Sequence, residues 1–420
     1  MAIAGLNVMD MLRDQLKLKQ LEIDALLEIT KAINSNKSSS ALFELFHRTL
    51  SDQIGVDNML LVSNNGEDWE PVIGDKLISE LHPELIHSLL KFDKLTDLTV
   101  LNGKLPGYLK QYDILIPVYH KENPLAFLLM SNPRVESYEP LEDKIKFAQT
   151  ITNIITVAIE NKRLFKKEVE QQGFKRELEV AAQVQNMLIP HNLPMTEHVQ
   201  LDAIYLPHRN IGGDYYDFIQ LSEDEIFFCI ADISGKGIAA ALLMANFQAQ
   251  IRELTKRNPA SIEEYMQELN TAVLMSTKGE KFITLFLGKY NRKSRILKYV
   301  NSGHNPPILV NSNGYKFLDK GTTILGMFDK LPSVKMGQVP IVENTAIICY
   351  TDGLTDVVNE YNQVFALEKL IELVEDNYKE DVTVLNKMII DEIMKFKGLD
   401  GEVSDDITVL SVKILESKKK

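Results

Sequence analysis

A chain of 420 residues, 45% hydrophobic and 25% charged, has the length for two or three domains and the apolar content to bury a core in each, which excludes a largely disordered protein. Its formal charge of -13 weighs against nonspecific affinity for nucleic acid or anionic lipid, and no run of about 18 apolar residues is present to span a bilayer. The opening MAIAGLNVMDMLRDQ has no basic head followed by an apolar core, so a cytoplasmic location is expected. The two cysteines, Cys229 and Cys349, lie inside apolar strand-like runs, which speaks for small buried hydrophobes and against a disulfide framework or zinc cluster.

Residues 1–35 read as one helix. Met9, Leu16 and Ile23 stand seven apart, with Leu12, Leu26 and Ile33 interleaved and Lys19 interrupting the seam. Two readings fit equally: a dimeric coiled coil, and an amphipathic helix lying on its own domain. From 36 to 145, strand-like runs (NMLLVSNN, YDILIPVYH, LAFLLMSN) alternate with helical segments such as ALFELFHRTLSDQIG, predicting a compact α+β domain. Its length, helix-first order and helical flanks resemble a GAF sensor domain, with a PAS-type sensor as the rival, and its signal is unknown. Residues 146–190 predict a helical linker. Ile151, Ala158 and Phe165 form one seam; Phe174, Leu178, Ala181 and Leu188 form a second, out of phase with it. The slip falls at Gln171, Gln172 and Gly173, read either as a switch point or as an ordinary flexible joint, and Pro190 and Pro194 stop the helix.

From 191 to 417 the aspartates collect at strand ends. GGDYYDF carries Asp214 and Asp217, ADISGKG carries Asp232, YTDGLTD carries Asp352, and DDITVL opens on Asp405 and Asp406. Packing these strands in one sandwich brings their ends together, where a like-charge pair at 4 Å costs about 1 kcal/mol in water and about 4 kcal/mol at an effective dielectric of 20. Divalent cations resolve the repulsion, and oxygen ligands without histidine or cysteine select Mg²⁺ or Mn²⁺. Two such ions roughly 3.5–4 Å apart activate a water and hold phosphate oxygens, which is the chemistry of phosphate-ester hydrolysis. Gly212 and Gly213 are expected to allow close backbone approach with positive φ. Gly235 and Gly237 open a helix whose N-terminus faces phosphate, or they serve close packing.

The ordered set GGDYYDF, ADISGKG, NSGHNPP, YTDGLTD and DDITVL resembles the bacterial sporulation stage II E branch of the metal-dependent protein phosphatase 2C family. The resemblance implies an α+β chain in which a phosphatase 2C-like α-β-β-α sandwich follows the GAF-like domain and the coiled-coil linker. It implies serine/threonine phosphatase activity on a small regulatory protein, typically an anti-sigma-factor antagonist of the STAS fold, with two Mn²⁺ or Mg²⁺ ions and a homodimer formed through the helices. Asp232 then resembles the carboxylate bridging both metals, Ile233 the neighbouring backbone ligand, Asp352 and Asp405 the remaining direct carboxylates, and Asp214 the upstream ligand of the second metal. Asp217 and Asp406 are secondary candidates. Ser234 stands where eukaryotic members carry a histidine, leaving His304 as the candidate leaving-group acid or a residue that only holds its loop. GGDYYDF also echoes the hairpin of diguanylate cyclases, though it lacks the acidic residue directly after GGD. A noncatalytic scaffold that uses the fold only to bind a partner is the third reading.

Overall fold

The computed structural model describes residues 2–66, 68–74, 83–101, 109–134, 140–208, 210–257 and 261–415, so the expected domain end at 417 lies outside the described residues. The chain divides into two compact units, Met1–Gln172 and Gly173–Lys420.

In the first unit, helices α1 (Ala2–Asn34) and α2 (Ser39–Arg48) precede strands β1 (Met59–Asn64) and β2 (Trp69–Ile73). Helix α3 (Pro83–Leu89), strands β3 (Thr96–Asp97), β4 (Ile114–His120) and β5 (Asn123–Met130), and the 46-residue helix α4 (Leu141–Asn186) follow. The strands form one antiparallel sheet in the order β2-β1-β5-β4-β3. Alternation along β5 sets its two faces: Ala126, Leu128 and Met130 meet Ile29, Phe46, Ile151 and Ile155 from the helices, whereas Phe127 and Leu129 meet Leu85, Leu89 and Tyr112. Helix α1 also divides, with the seam residues Leu26 and Ile33 partly buried against this core. Ala25, Ile29 and Ala32 are buried on this unit, while Leu12, Leu16 and Ile23 stay exposed.

Helix α4 passes through Gly173 without a break, so the phase slip does not end it. One glycine costs a helix about 1 kcal/mol relative to alanine, too little to interrupt so long a run.

The second unit is a sandwich. Its strands are β6 (Val199–Leu206), β7 (Tyr215–Gln220), β8 (Glu225–Ile233), β9 (Ile283–Asn291), β10 (Ile296–Ser302), β11 (Ile308–Asn311), β12 (Gly314–Phe317), β13 (Gly321–Thr322), β14 (Gly337–Pro340), β15 (Thr345–Tyr350) and β16 (Ile407–Ile414). Between them run helices α5 (Ile238–Arg257), α6 (Ile262–Thr277), α7 (Asp352–Thr355), α8 (Leu367–Asn377) and α9 (Val382–Lys397). One sheet has the order β13-β10-β9-β8-β7 with β14 also on β10; the other is β12-β11-β15-β16-β6.

Period-two alternation builds the layers. Ile347 and Cys349 of β15 and Leu410, Val412 and Ile414 of β16 join the core between the sheets, together with Phe228 and Ile230 of β8. Their neighbours Ile348, Tyr350, Ile407 and Val409 face α8 and α9 through Leu370, Val374, Leu385 and Ile389. Met244, Phe247, Ile251, Met266 and Leu269 of α5 and α6 cover the outer face of the first sheet. The α-β-β-α layering expected from the sequence is the one observed. Both cysteines are buried and unpaired. Among the described residues no helix is long and apolar enough to cross a membrane.

Candidate active site

Three of the expected aspartates come to one end of the sandwich because the strands carrying them end or begin there. Asp232 sits near the C-terminal end of β8, Asp352 follows β15, and Asp405 precedes β16, which pairs antiparallel with β15. Asp214, just before β7, reaches the same place from the first sheet: its Oδ2 accepts hydrogen bonds from the hydroxyl of Thr351, at 2.8 Å, and from that of Thr408. Those two threonines also bind each other, since Thr408 N–H donates to Thr351 Oγ1 at 2.9 Å and Thr351 N–H to the Thr408 carbonyl at 3.1 Å.

The electrostatics record how close the carboxylates lie. Burial, then Asp352, Asp405 and Asp406, push the Asp232 carboxyl up to about 7, and Lys236 partly relieves it. Asp214 is driven well above the ordinary carboxylate range, first by burial, then by Asp232 and Asp406, against the Thr408 and Thr351 hydroxyls. Asp352 is raised by burial, by Asp356 and by Asp405. Among the described residues no three His, Cys, Asp or Glu side chains already close on one point as a finished metal cage. Like charges repel, and Asp214, Asp405 and Asp406 each have a donor to hold them. For Asp405 that donor is Lys236, whose Nζ lies 2.9 Å from Oδ2 and also donates to the Ser404 carbonyl at 2.6 Å.

Asp406 has a different task. Its Oδ1 accepts from His208 N–H at 2.8 Å and its Oδ2 from Gly213 N–H at 2.6 Å, so it pins the GGD loop with both oxygens. Only glycine fits at 212 and 213: a Cβ on Gly212 would stand 2.2 Å from Asp406 Oδ2 and from the Tyr205 hydroxyl, and one on Gly213 would stand 2.8 Å from the Ile233 carbonyl. Without a Cβ at 213, the Ile233 carbonyl has no methyl group pressed against it. Close approach is therefore what these glycines supply. The expected positive φ is found instead at Gly235 (+102°) and Gly237 (+74°), in the turn that leads into α5.

Two assignments are corrected. Asp217 is no ligand: it points into the outer face of β7, fully buried, clasped by Arg252 through Nε at 2.7 Å and Nη2 at 3.0 Å and by the Tyr215 hydroxyl at 2.6 Å. His304 is not placed to act as an acid. It is 6% exposed, its Nδ1 shares a hydrogen bond with Thr284 Oγ1 at 2.8 Å, and its backbone N–H and carbonyl are both held by Asn301. Burial pulls its imidazole down to about 4, against the Tyr350 carbonyl, so at neutral pH it is not the imidazolium that a general acid would use. Ser234 is likewise committed: its Oγ accepts from Phe282 N–H at 2.9 Å and its N–H donates to the Phe282 carbonyl.

Sequence reasoning missed Thr351, Thr408, Lys236 and Gln185. The first three stand inside the quoted motifs, where their partners could have been sought. Gln185 had only its place in the last turn before Pro190 to mark it, yet it is buried and its Nε2 donates to the Gly212 carbonyl at 2.7 Å.

Two stacked sheets flanked by helix pairs, with clustered carboxylates at one end, define a phosphatase 2C-type domain. Its fold matches the SiaA-PP2C domain of Pseudomonas aeruginosa with a TM-score of 0.51 at 18% identity, covering 59% of this chain and 98% of that one. Residues 222–415 match the family model of stage II sporulation protein E (SpoIIE), so the second unit carries a SpoIIE phosphatase 2C-type domain. It is 29% identical over 245 residues to the phosphoserine phosphatase RsbU of Bacillus subtilis strain 168, covering 57% of this chain and 70% of RsbU. It is 28% identical over 279 residues to protein IcfG of a Synechocystis strain, covering 60% of this chain but only 43% of IcfG. The cyclase reading of GGDYYDF falls on the geometry, because its Asp214 is bound by Thr351 and Thr408 at the sandwich end.

The geometry generates three predictions. Arg252→Leu strands a buried carboxylate and should cost about 3 kcal/mol in denaturant unfolding, most of it recovered in Asp217→Asn/Arg252→Leu; a neutral single variant would refute the ion pair. For Asp232, the folded state holds its proton more tightly than the unfolded chain does, so between pH 4 and 7 this group subtracts stability as pH rises. Mn²⁺ removes that penalty, and its effect on melting temperature should be larger at pH 7.5 than at pH 5, by on the order of 5 °C; equal shifts would contradict it. Lys236→Gln removes a competing cation from Asp405 and should tighten Mn²⁺ binding by roughly fivefold, about 1 kcal/mol for a half-exposed pair, read by calorimetry; unchanged or weaker binding would count against that role.

Proposed function

We propose that this protein is a metal-dependent serine/threonine phosphoprotein phosphatase. The observation that carries the reading is the meeting of Asp214, Asp232, Asp352 and Asp405 at one end of the sandwich, with the Ile233 carbonyl kept open by Gly213. The donors are all oxygen, and the Asp232 proton is held only up to about 7, so the set fits two Mg²⁺ or Mn²⁺ ions at physiological pH. Asp232, the Ile233 carbonyl, Asp352, Asp405 and Asp214 would hold them. When bound, the ions supply Lewis acidity toward phosphate oxygens and an activated water for in-line attack.

The chain's own residues do the rest. Asp406 and Gly213 fix the loop that carries Asp214; Thr351 and Thr408 orient its carboxylate; Lys236, half exposed and mobile on its stem, presents an ammonium where a phosphate dianion would enter. With His304 neutral, the leaving serine oxygen takes its proton from water. The substrate is a serine-phosphorylated small regulatory protein, of the STAS-type anti-sigma-factor antagonist class, in a partner-switching pathway. The naming of RsbU as a phosphoserine phosphatase supports this choice.

The first unit acts as a GAF-like sensor for a signal of unknown chemistry, and α4 delivers its state. Gln185 gives that route a physical end point, since a helix shift that breaks its bond to Gly212 disturbs the loop holding Asp214. The exposed apolar residues Phe165, Val169, Val180 and Val184 on α4 offer a face for a homodimer.

Full-length protein should hydrolyse p-nitrophenyl phosphate with Mn²⁺, and Asp232→Ala and Asp352→Ala should each lower kcat by at least about a hundredfold, ~2.7 kcal/mol of transition-state stabilisation. Turnover that survives either change, or that persists in EDTA, would defeat the proposal and favour a scaffold.

A further inference from the structure

Six large apolar side chains stand exposed at the same end of the sandwich as Asp232. Ile238 and Leu242 lie on the first turns of α5, Met275 on the last turn of α6, Phe282 at the entry to β9, and Met327 and Phe328 in the loop after β13. Their exposure runs from 38% at Phe282 to 79% at Met275. Exposed apolar side chains gathered at one end of the sandwich do nothing for the core, and such a gathering marks a place where another molecule sits.

The rim is built onto the metal loops. Phe282 shares two hydrogen bonds with Ser234 of ADISGKG, and its neighbour Ile283 is bridged to Leu325. Asn270 of α6 donates to the Phe328 carbonyl at 2.7 Å and accepts from Gly326 N–H at 2.9 Å, fastening the 326–328 loop to the helix. The Ser276 hydroxyl donates to Asn246 Oδ1 at 3.2 Å and ties the end of α6 to α5 one turn beyond Leu242. Cations border the rim on the side of the carboxylates: Lys236, Lys278 and Lys281, the last with its Nζ close over Gly235.

We infer that this rim is the docking surface for the folded phosphoprotein substrate. The inference rests on the phosphatase reading and extends it. A phosphoserine side chain reaches only a few ångströms beyond its own backbone, so a folded protein whose phosphate enters the site must lie on what surrounds it. Methionine, leucine and phenylalanine offer adaptable apolar anchors, and the lysines match the negative charge of a phosphorylated patch in a chain whose own net charge is -13. The occupant is therefore a phosphorylated protein with an apolar flank beside its phosphoserine. A small phosphate ester has no such flank and does not use the rim.

The test compares full-length protein with Leu242→Glu/Met327→Glu, two exposed positions whose change leaves the core intact. Val384→Glu serves as control: it is exposed on α9, whose start is tied to β6 by the Gln200–Asp381 hydrogen bond, at the end of the sandwich away from Asp232. The substrates are a serine-phosphorylated STAS-domain protein and p-nitrophenyl phosphate. The rim variant should lose at least about tenfold in kcat/KM on the phosphoprotein, mainly through KM, and stay within about twofold on the small ester; the control should keep both. Unchanged phosphoprotein kinetics, equal losses on both substrates, or a shift in oligomeric mass that makes a second copy the occupant would overturn the docking surface. An unaltered protein that cleaves neither substrate brings down the phosphatase reading itself, and one that cleaves only the small ester overturns the substrate class.

Discussion

Mutual repulsion among carboxylates is the constraint around which the catalytic unit is arranged. Neighbouring carboxylates raise the proton affinity of Asp214, Asp232 and Asp352, and the fold keeps the cluster together by giving three of its members donors of their own. Two threonine hydroxyls hold Asp214, two backbone N–H groups hold Asp406, and an ammonium holds Asp405. Asp232, the most encircled, is left to burial and to its neighbours. That imbalance is what a divalent cation relieves.

The two-sheet architecture makes the arrangement possible. Asp232 belongs to a strand of one sheet, and Asp352 and Asp405 flank adjacent strands of the other, so the inter-sheet core built from Phe228, Cys349, Leu410 and Val412 sets the spacing of the site. Gly353 shows how tight the join is: a Cβ there would stand 2.0 Å from the Asp406 carbonyl. A methyl group at that position would push the β15 and β16 ends apart, and the carboxylates with them.

Much of this was legible from residue order alone. Apolar runs bounded by Asp-Gly or Asp-Asp turns predicted strands whose ends converge, and the resemblance carried by the ordered motifs implied the α-β-β-α layers. What could not be read were choices made by tertiary partners. Asp217 stands three residues from Asp214 in the same motif, yet strand alternation and Arg252, 35 residues onward, turn it to the opposite face. His304 sits in a motif with the look of a catalytic turn, and only the depth of the Asn301 and Thr284 pocket makes it neutral. The phase slip at Gly173 was visible, but a 46-residue helix tolerates it, since the cost of one glycine is spread against many hydrogen bonds.

The most direct measurement is anomalous diffraction from crystals of the protein grown with Mn²⁺. The account predicts two peaks at the sandwich end, both within bonding distance of Asp232, one also ligated by Asp352 and Asp405 and the other by the Ile233 carbonyl, with Lys236 swung away from Asp405. Peaks elsewhere, or a carboxylate cluster that takes up no metal at saturating Mn²⁺, would contradict it.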